Sequence, residues 1–215
     1  MCERELSIDE ARAYFDRLNN DFVKPCQTCG LCKAGRQQTV FGVGNVRPDV
    51  VFVGEGPGEE EDIRGEPFVG RAGQLLTKMI AAMTLTRDQV YICNVVKCRP
   101  PNNRTPTEDE MAACSPYLFR QLSVLRPKVI VGLGRPASQT LLATQESIGK
   151  LRGRFHDFPS IAQQHLGLPT CKVMPTYHPA YLLRSPGEKG KVWDDLQLVM
   201  GFLGIPLPRR SAAPQ

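Results

Sequence analysis

The chain lacks the features that would carry it into or across a membrane. No segment approaches the ~18 apolar residues of a spanning helix, and Glu3, Arg4 and Glu5 stand where an export signal would have its apolar stretch. A soluble, intracellular, cytoplasmic protein is expected. Internal repeats are missing too, and so is a strong charge imbalance: a net charge of +5 permits an anionic partner such as nucleic acid without requiring one. With no export signal expected, the eight cysteines are poor candidates for a disulfide framework and better ones for metal ligands or reactive thiols. An apolar content of 41% supports one substantial core. One domain is expected over residues 1–204, and residues 205–215, with Pro, Ser, Ala and two Arg, are expected to form a disordered tail.

What is present centres on Gly54 to Gly73, GEGPGEEEDIRGEPFVGRAG. It holds six glycines, two prolines, six acidic residues and Phe68, and follows the apolar run Val50 to Val53. A flexible acidic loop leaving a buried strand is expected, with Gly54 and Gly56 letting the main chain approach a ligand. Acidic, glycine-rich segments are usually solvated turns, but an aromatic inside one needs a surface to pack on.

Around it, Ser7 with Glu10 predicts a capped helix over 8–19, and Thr107 with Glu110 another over 108–125. Helical spacing covers 71–83, and a short helix runs from Pro136 to Ala143. Strands are expected at 50–54, 90–94, 128–132 and 171–175, and a last helix at 188–203. Residues 146–170 show no periodicity and read as an extended connection. Alternating strands and helices predict a three-layer α/β/α sandwich around a four-stranded parallel sheet. In that arrangement the loops after the first, second and fourth strands bring Glu55, Asn94 and His178 to one edge.

Cys26 and Cys29 form a C-x2-C pair, and Cys98 and Cys114 flank the NNRTP loop. Four thiolates from two segments suit zinc or an iron-sulfur cluster, and spacing does not choose between them. Cys32 can replace Cys29 or be a spare thiol. Cys93 and Cys171, inside predicted strands, read as buried apolar cysteines. Asn94, at a strand end, offers the acceptor and donors that suit a pyrimidine or amide edge. Lys97, Arg99, Arg104, Arg184, Lys189 and Lys191 are candidates for phosphate contact; taken singly they are a solvated face.

Taken together, GEGPGEEEDIRGEPFVGRAG, NVVKCRPPNNRTP, the four cysteines and HPAYLLR resemble the family 4, iron-sulfur uracil-DNA glycosylases, over roughly residues 24–200. The resemblance implies a monofunctional enzyme of prokaryotic base excision repair that removes uracil from single- or double-stranded DNA as a monomer. It implies a [4Fe-4S] cluster on Cys26, Cys29, Cys98 and Cys114. Carried over by residue, Glu55 orients water or stabilises the cationic sugar, Glu61 lies near the C5 edge of uracil, and Phe68 stacks on the flipped base. Asn94 reads the pyrimidine edge, His178 bonds the O2 oxygen, and Leu182, Leu183 and Arg184 enter the minor groove. Gly56 departs from the alanine usual in this family. The second motif has neither the basic insertion nor the histidine of a related branch that attaches covalently to DNA, so no adduct is expected. A glycosylase of broader deaminated-base range, or a non-catalytic iron-sulfur DNA-binding protein on the same fold, is compatible with the same motifs.

Overall fold

The computed structural model describes residues 5–208. Its strands are β1 (Val43–Gly44), β2 (Val50–Gly54), β3 (Tyr91–Asn94), β4 (Val129–Leu133), β5 (His156–Phe158) and β6 (Cys171–Thr176). Every residue of β2, β3 and β4 is buried, as unbroken apolar runs require when both faces of a parallel sheet are covered. Alternate side chains divide between two cores. Val51, Val53, Cys93, Ile130 and Val173 pack on one side with Phe15, Leu118 and Leu141, while Val50, Phe52, Ile92, Val131 and Met174 pack on the other with Leu76, Ile80 and Leu196. The helices behind the first set are α1 (Ile8–Arg17), α4 (Glu108–Leu125) and α5 (Arg135–Leu142). Those behind the second are α3 (Arg71–Ala82) and α8 (Lys189–Leu203). The α/β/α sandwich is therefore as expected.

The sheet is larger than four strands. β3, β2, β4 and β6 form the parallel centre, and β1 and β5 add antiparallel edges, in the order β1-β3-β2-β4-β6-β5. The stretch 146–170, expected to be an extended connection, contains α6 (Ile148–Leu151), β5 and a 3-10 turn over Ile161–Leu166. β5 takes its conformation from pairing with β6, a tertiary effect that three residues cannot announce by periodicity. The acidic loop is also more ordered than expected. Glu59–Arg64 forms α2, whose four acidic residues occupy the first turn, where the helix dipole favours negative charge.

Both predicted capping boxes form, Ser7 with Glu10 and Thr107 with Glu110. HPAYLLR opens α7 (Pro179–Arg184) with His178 as its N-cap. At the far end, Ile205, expected in the tail, packs against the core with its amide donating to the Met200 carbonyl at 2.9 Å; residues 209–215 of the expected tail lie outside the described residues. Among the described residues no helix is long and apolar enough to cross a membrane.

Strand order decides where a ligand can sit. From β2 the chain moves to β3 on one side and then to β4 on the other, so the segments leaving β2 and β4 part and open a crevice at their carboxyl ends.

Candidate active site

That crevice is a cleft of about 590 Å³ lined by Glu55, Gly56, Glu61, Phe68, Asn94 and His178, and by Arg104, Thr105, Tyr181 and Arg184. The three loops expected to converge do so: Gly54 pairs with Asn94 in the β2–β3 register, and β6 ends two residues before His178. Gly54 is the floor. A Cβ there would stand 2.4 Å from Asn94 Oδ1 and 2.5 Å from the Phe68 ring, so only glycine lets these two groups approach. Gly56 lies beside Val96, whose γ-methyl would be 2.7 Å from an added Cβ.

Asn94 is 1% exposed, and its side-chain oxygen is buried with no hydrogen-bond partner among the described residues. Such an acceptor is costly unless something donates to it. The Phe68 ring lies 5.6 Å from the His178 ring at a 34° tilt. Phe68 has a positive φ of 55°, a conformation costing an aromatic residue of order 1–3 kcal/mol and persisting only where the surroundings over-determine it.

His178 accepts a hydrogen bond at Nδ1 from the Ala180 amide at 3.1 Å. That bond leaves Nε2 as the protonated nitrogen of a neutral ring. Burial, with the charge of Arg184 adding to it and Glu61 opposing, lowers the His178 pKa to about 4, so the ring faces the cleft as a neutral donor. Glu55 is shifted the other way: burial raises its pKa, against a hydrogen bond from Thr105 and the charge of Arg135.

Several expected roles need revision. Leu182 is 1% exposed and belongs to the core, because a single helical turn must bury one side of HPAYLLR; Tyr181, Leu183 and Arg184 face outward. Lys97 is 1% exposed and cannot reach a phosphate. Arg104 lines the cleft but forks onto Glu110 with two 2.7 Å hydrogen bonds, so much of its donor capacity is used. Arg99 bonds Asn103, and Lys191 pairs with Glu188. Glu61 accepts hydrogen bonds from the amides of Gly58, Val69 and Gly70, bracing the loop as well as lining the cleft. Thr105, lying inside a motif singled out from the sequence, and Arg135, the residue after Gly134 at the end of β4, were not assigned a role there.

A second cavity is lined by Cys26, Cys29, Cys32, Cys98 and Cys114, with Arg36, Lys97 and Tyr117. Cys98 Sγ accepts from Arg36 Nη1 at 2.7 Å, and Cys114 Sγ from the Lys97 amide at 3.3 Å. Burial pushes the Cys114 thiol up to about 12. Burial also opposes ionisation of Cys26, yet hydrogen bonds from Thr28 and Tyr117 and the charge of Arg36 bring its pKa below the usual thiol value. Among the described residues no group of three or more His, Cys, Asp or Glu side chains closes around a single metal ion. The sulfurs ring a cavity bordered by two cationic side chains, a donor set that fits a thiolate-bound, multi-metal group. Cys93 is core and Cys171 packs partly against it, as expected for apolar cysteines.

A family model described as the uracil DNA glycosylase superfamily matches residues 41–197. The type-4 uracil-DNA glycosylases of Saccharolobus solfataricus and Thermotoga maritima are each 46% identical over 184 residues, covering 83% and 84% of this chain and 82% and 91% of theirs. That of Archaeoglobus fulgidus is 40% identical over 195 residues, 88% of this chain and 95% of its own. The chain belongs to the uracil DNA glycosylase superfamily and, within it, to the type-4 uracil-DNA glycosylases.

Proposed function

We propose that this chain, acting as a monomer, removes uracil from single- or double-stranded DNA by hydrolysing its N-glycosidic bond and leaves an abasic site for base excision repair. The observation that carries this reading is the orphaned Asn94 Oδ1 on the floor of the cleft. Uracil offers the complement, an N3–H donor beside an O4 acceptor for the same amide. Cytosine, with no proton at N3, does not.

The remaining residues fit the chemistry. A base must leave the duplex to enter the cleft, at about a few kcal/mol, and stacking on Phe68 offsets about 1–3 kcal/mol of that. Breaking the bond sends its electron pair into the base, with charge developing on O2, and leaves an oxocarbenium-like sugar. The neutral His178 donates Nε2–H toward O2, a fixed donor aimed where charge appears. Glu55 stabilises the sugar cation and orients the attacking water, whose oxygen bonds to C1′. Glu61 borders the C5 edge, and Leu183 and Arg184, on the outer face of α7, reach the DNA. Cys26, Cys29, Cys98 and Cys114 would hold a [4Fe-4S] cluster, which would supply a structural tie between the N-terminal segment, α4 and the loop after β3.

The test is incubation with single- and double-stranded oligonucleotides carrying uracil, hypoxanthine or thymine, followed by alkali. Strand breaks at uracil are expected and none at thymine. No release of uracil from any context would refute the proposal, and equal release of hypoxanthine would favour a broader deaminated-base enzyme.

A further inference from the structure

We infer that Arg87, in the turn between α3 and β3, is a positioning residue for Phe68, acting with Glu61 to hold the left-handed backbone that turns the ring into the cleft. The Phe68–Val69 peptide is gripped at both polar ends. Its carbonyl accepts from Arg87 Nη1 at 3.2 Å, and its amide donates to Glu61 Oε1 at 2.9 Å. The neighbouring peptides are held by the same two side chains, the Pro67 carbonyl by Arg87 Nη2 at 2.9 Å and the Gly70 amide by Glu61 Oε1 at 2.9 Å.

Opposite charges thus clamp consecutive peptide groups around a residue whose φ of 55° an aromatic seldom adopts. From the third side, Gly73 approaches so closely that a Cβ would stand 1.9 Å from the Phe68 carbonyl oxygen. The guanidinium is itself steered, since Nη1 also donates to Thr77 Oγ1 at 3.3 Å and Glu66 lies 3.7 Å from Nη2. Arg87 is not part of the cleft lining, so it acts on the base pocket through Phe68. A planar fork serves two adjacent carbonyls at once, whereas a lysine ammonium is a single point charge.

The inference rests on the stacking role proposed for Phe68, and the experiment separates the two. Single-turnover uracil release is measured for Arg87→Ala, Arg87→Lys, Phe68→Ala and the two doubles, with affinity for an oligonucleotide that carries no uracil, and so offers no base to stack on Phe68, measured by anisotropy. Arg87→Ala is expected to slow release about 10- to 100-fold, the scale of a 1 Å misplacement, with Arg87→Lys between it and the parent and DNA affinity unchanged. In the Phe68→Ala background neither Arg87 substitution should slow release further. Release at the parent rate by Arg87→Ala, an equal slowing in the Phe68→Ala background, or a matching loss of DNA affinity would each overturn the inference. Phe68→Ala at the parent rate would overturn the stacking role itself. If Arg87→Ala does not fold, Arg87→Lys in both backgrounds decides by the same criteria.

Discussion

Lys97 joins the cysteine cavity to Asn94: its buried ammonium donates to the main-chain carbonyl of Asn94 at 2.8 Å, while its own amide donates to Cys114 Sγ. The ammonium also bonds Gln121 Oε1 at 2.6 Å, and Gln121 in turn bonds the Phe41 carbonyl and the Tyr91 hydroxyl. Lys97→Met would leave two buried acceptors without this donor, at about 1–3 kcal/mol for each group left unsatisfied. A lower melting temperature is expected, by about 2–4 °C per kcal/mol for a chain of this size, together with slower uracil release. A variant with the parent's melting point and rate would show that this contact braces nothing.

Gly54→Ala isolates the cleft floor from the rest of the fold. The new methyl would overlap Asn94 Oδ1 and the Phe68 ring, both under 3 Å away, so one of them must move from the base pocket. Overpacking of this kind costs about 1–3 kcal/mol of stability. A 1 Å displacement at the reacting groups costs about 100-fold in rate. Thermal melts and single-turnover release should therefore separate, with modest destabilisation and severe loss of rate. Parent-like release would mean that the base does not occupy the space between Asn94 and Phe68.

Acid should affect the two central residues in opposite senses. The unfolded chain binds a proton at His178 near 6.5, the folded protein only near 4. The stability this residue contributes is therefore full above pH 6.5 and lost as pH falls toward 4. Glu55 has its folded pKa raised by burial, so the folded state holds that proton longer and stability falls as pH rises through its folded value. The proposed mechanism needs neutral His178 and ionised Glu55, which assigns the acid limb of the rate profile to Glu55, at a pH above the ordinary carboxylate value of 4.5. Glu55→Gln should slow release and remove that limb, whereas His178→Gln should slow release and keep it. Persistence of the limb in Glu55→Gln would reverse the assignment.

The sequence made strand ends and caps legible because their signals are local. Val50–Gly54 is an apolar run bounded by Pro48 and the glycine-rich stretch, and the structure matches it to the residue. Thr107 and Glu110 announced α4 through a capping box whose two bonds both form. Since β2, β3 and β6 are parallel neighbours or near neighbours of one sheet, order alone gathered Glu55, Asn94 and His178. The residues holding them in place were not legible, because their contacts join distant segments: Arg87 reaches Phe68 across 19 positions and Lys97 reaches Gln121 across 24. Leu182 was misjudged for the opposite reason. Within a single helical turn the sequence does not say which leucine faces inward, and the core took Leu182 and left Leu183 40% exposed.

The cysteine cavity makes its own prediction, since five sulfurs line it and only four are assigned as ligands. Purified protein should be brown and contain about four irons per chain, as four-thiolate ligation of a [4Fe-4S] cluster requires. Cys98→Ala removes a proposed ligand whose sulfur also receives the Arg36 guanidinium, and should lose colour and iron together. Cys93→Ala lies in the core of the sheet and should keep both while losing stability from the deleted side chain. Cys32→Ala decides the remaining ambiguity: full iron leaves Cys29 as the ligand, and loss of iron transfers that role to Cys32. Because a bound cluster would hold the N-terminal segment against α4, stripping the iron with a chelator should lower the melting temperature as well as the rate. Full iron in Cys98→Ala would refute the ligand set, and an unchanged melt after complete removal of iron would show that the metal does not hold the fold together.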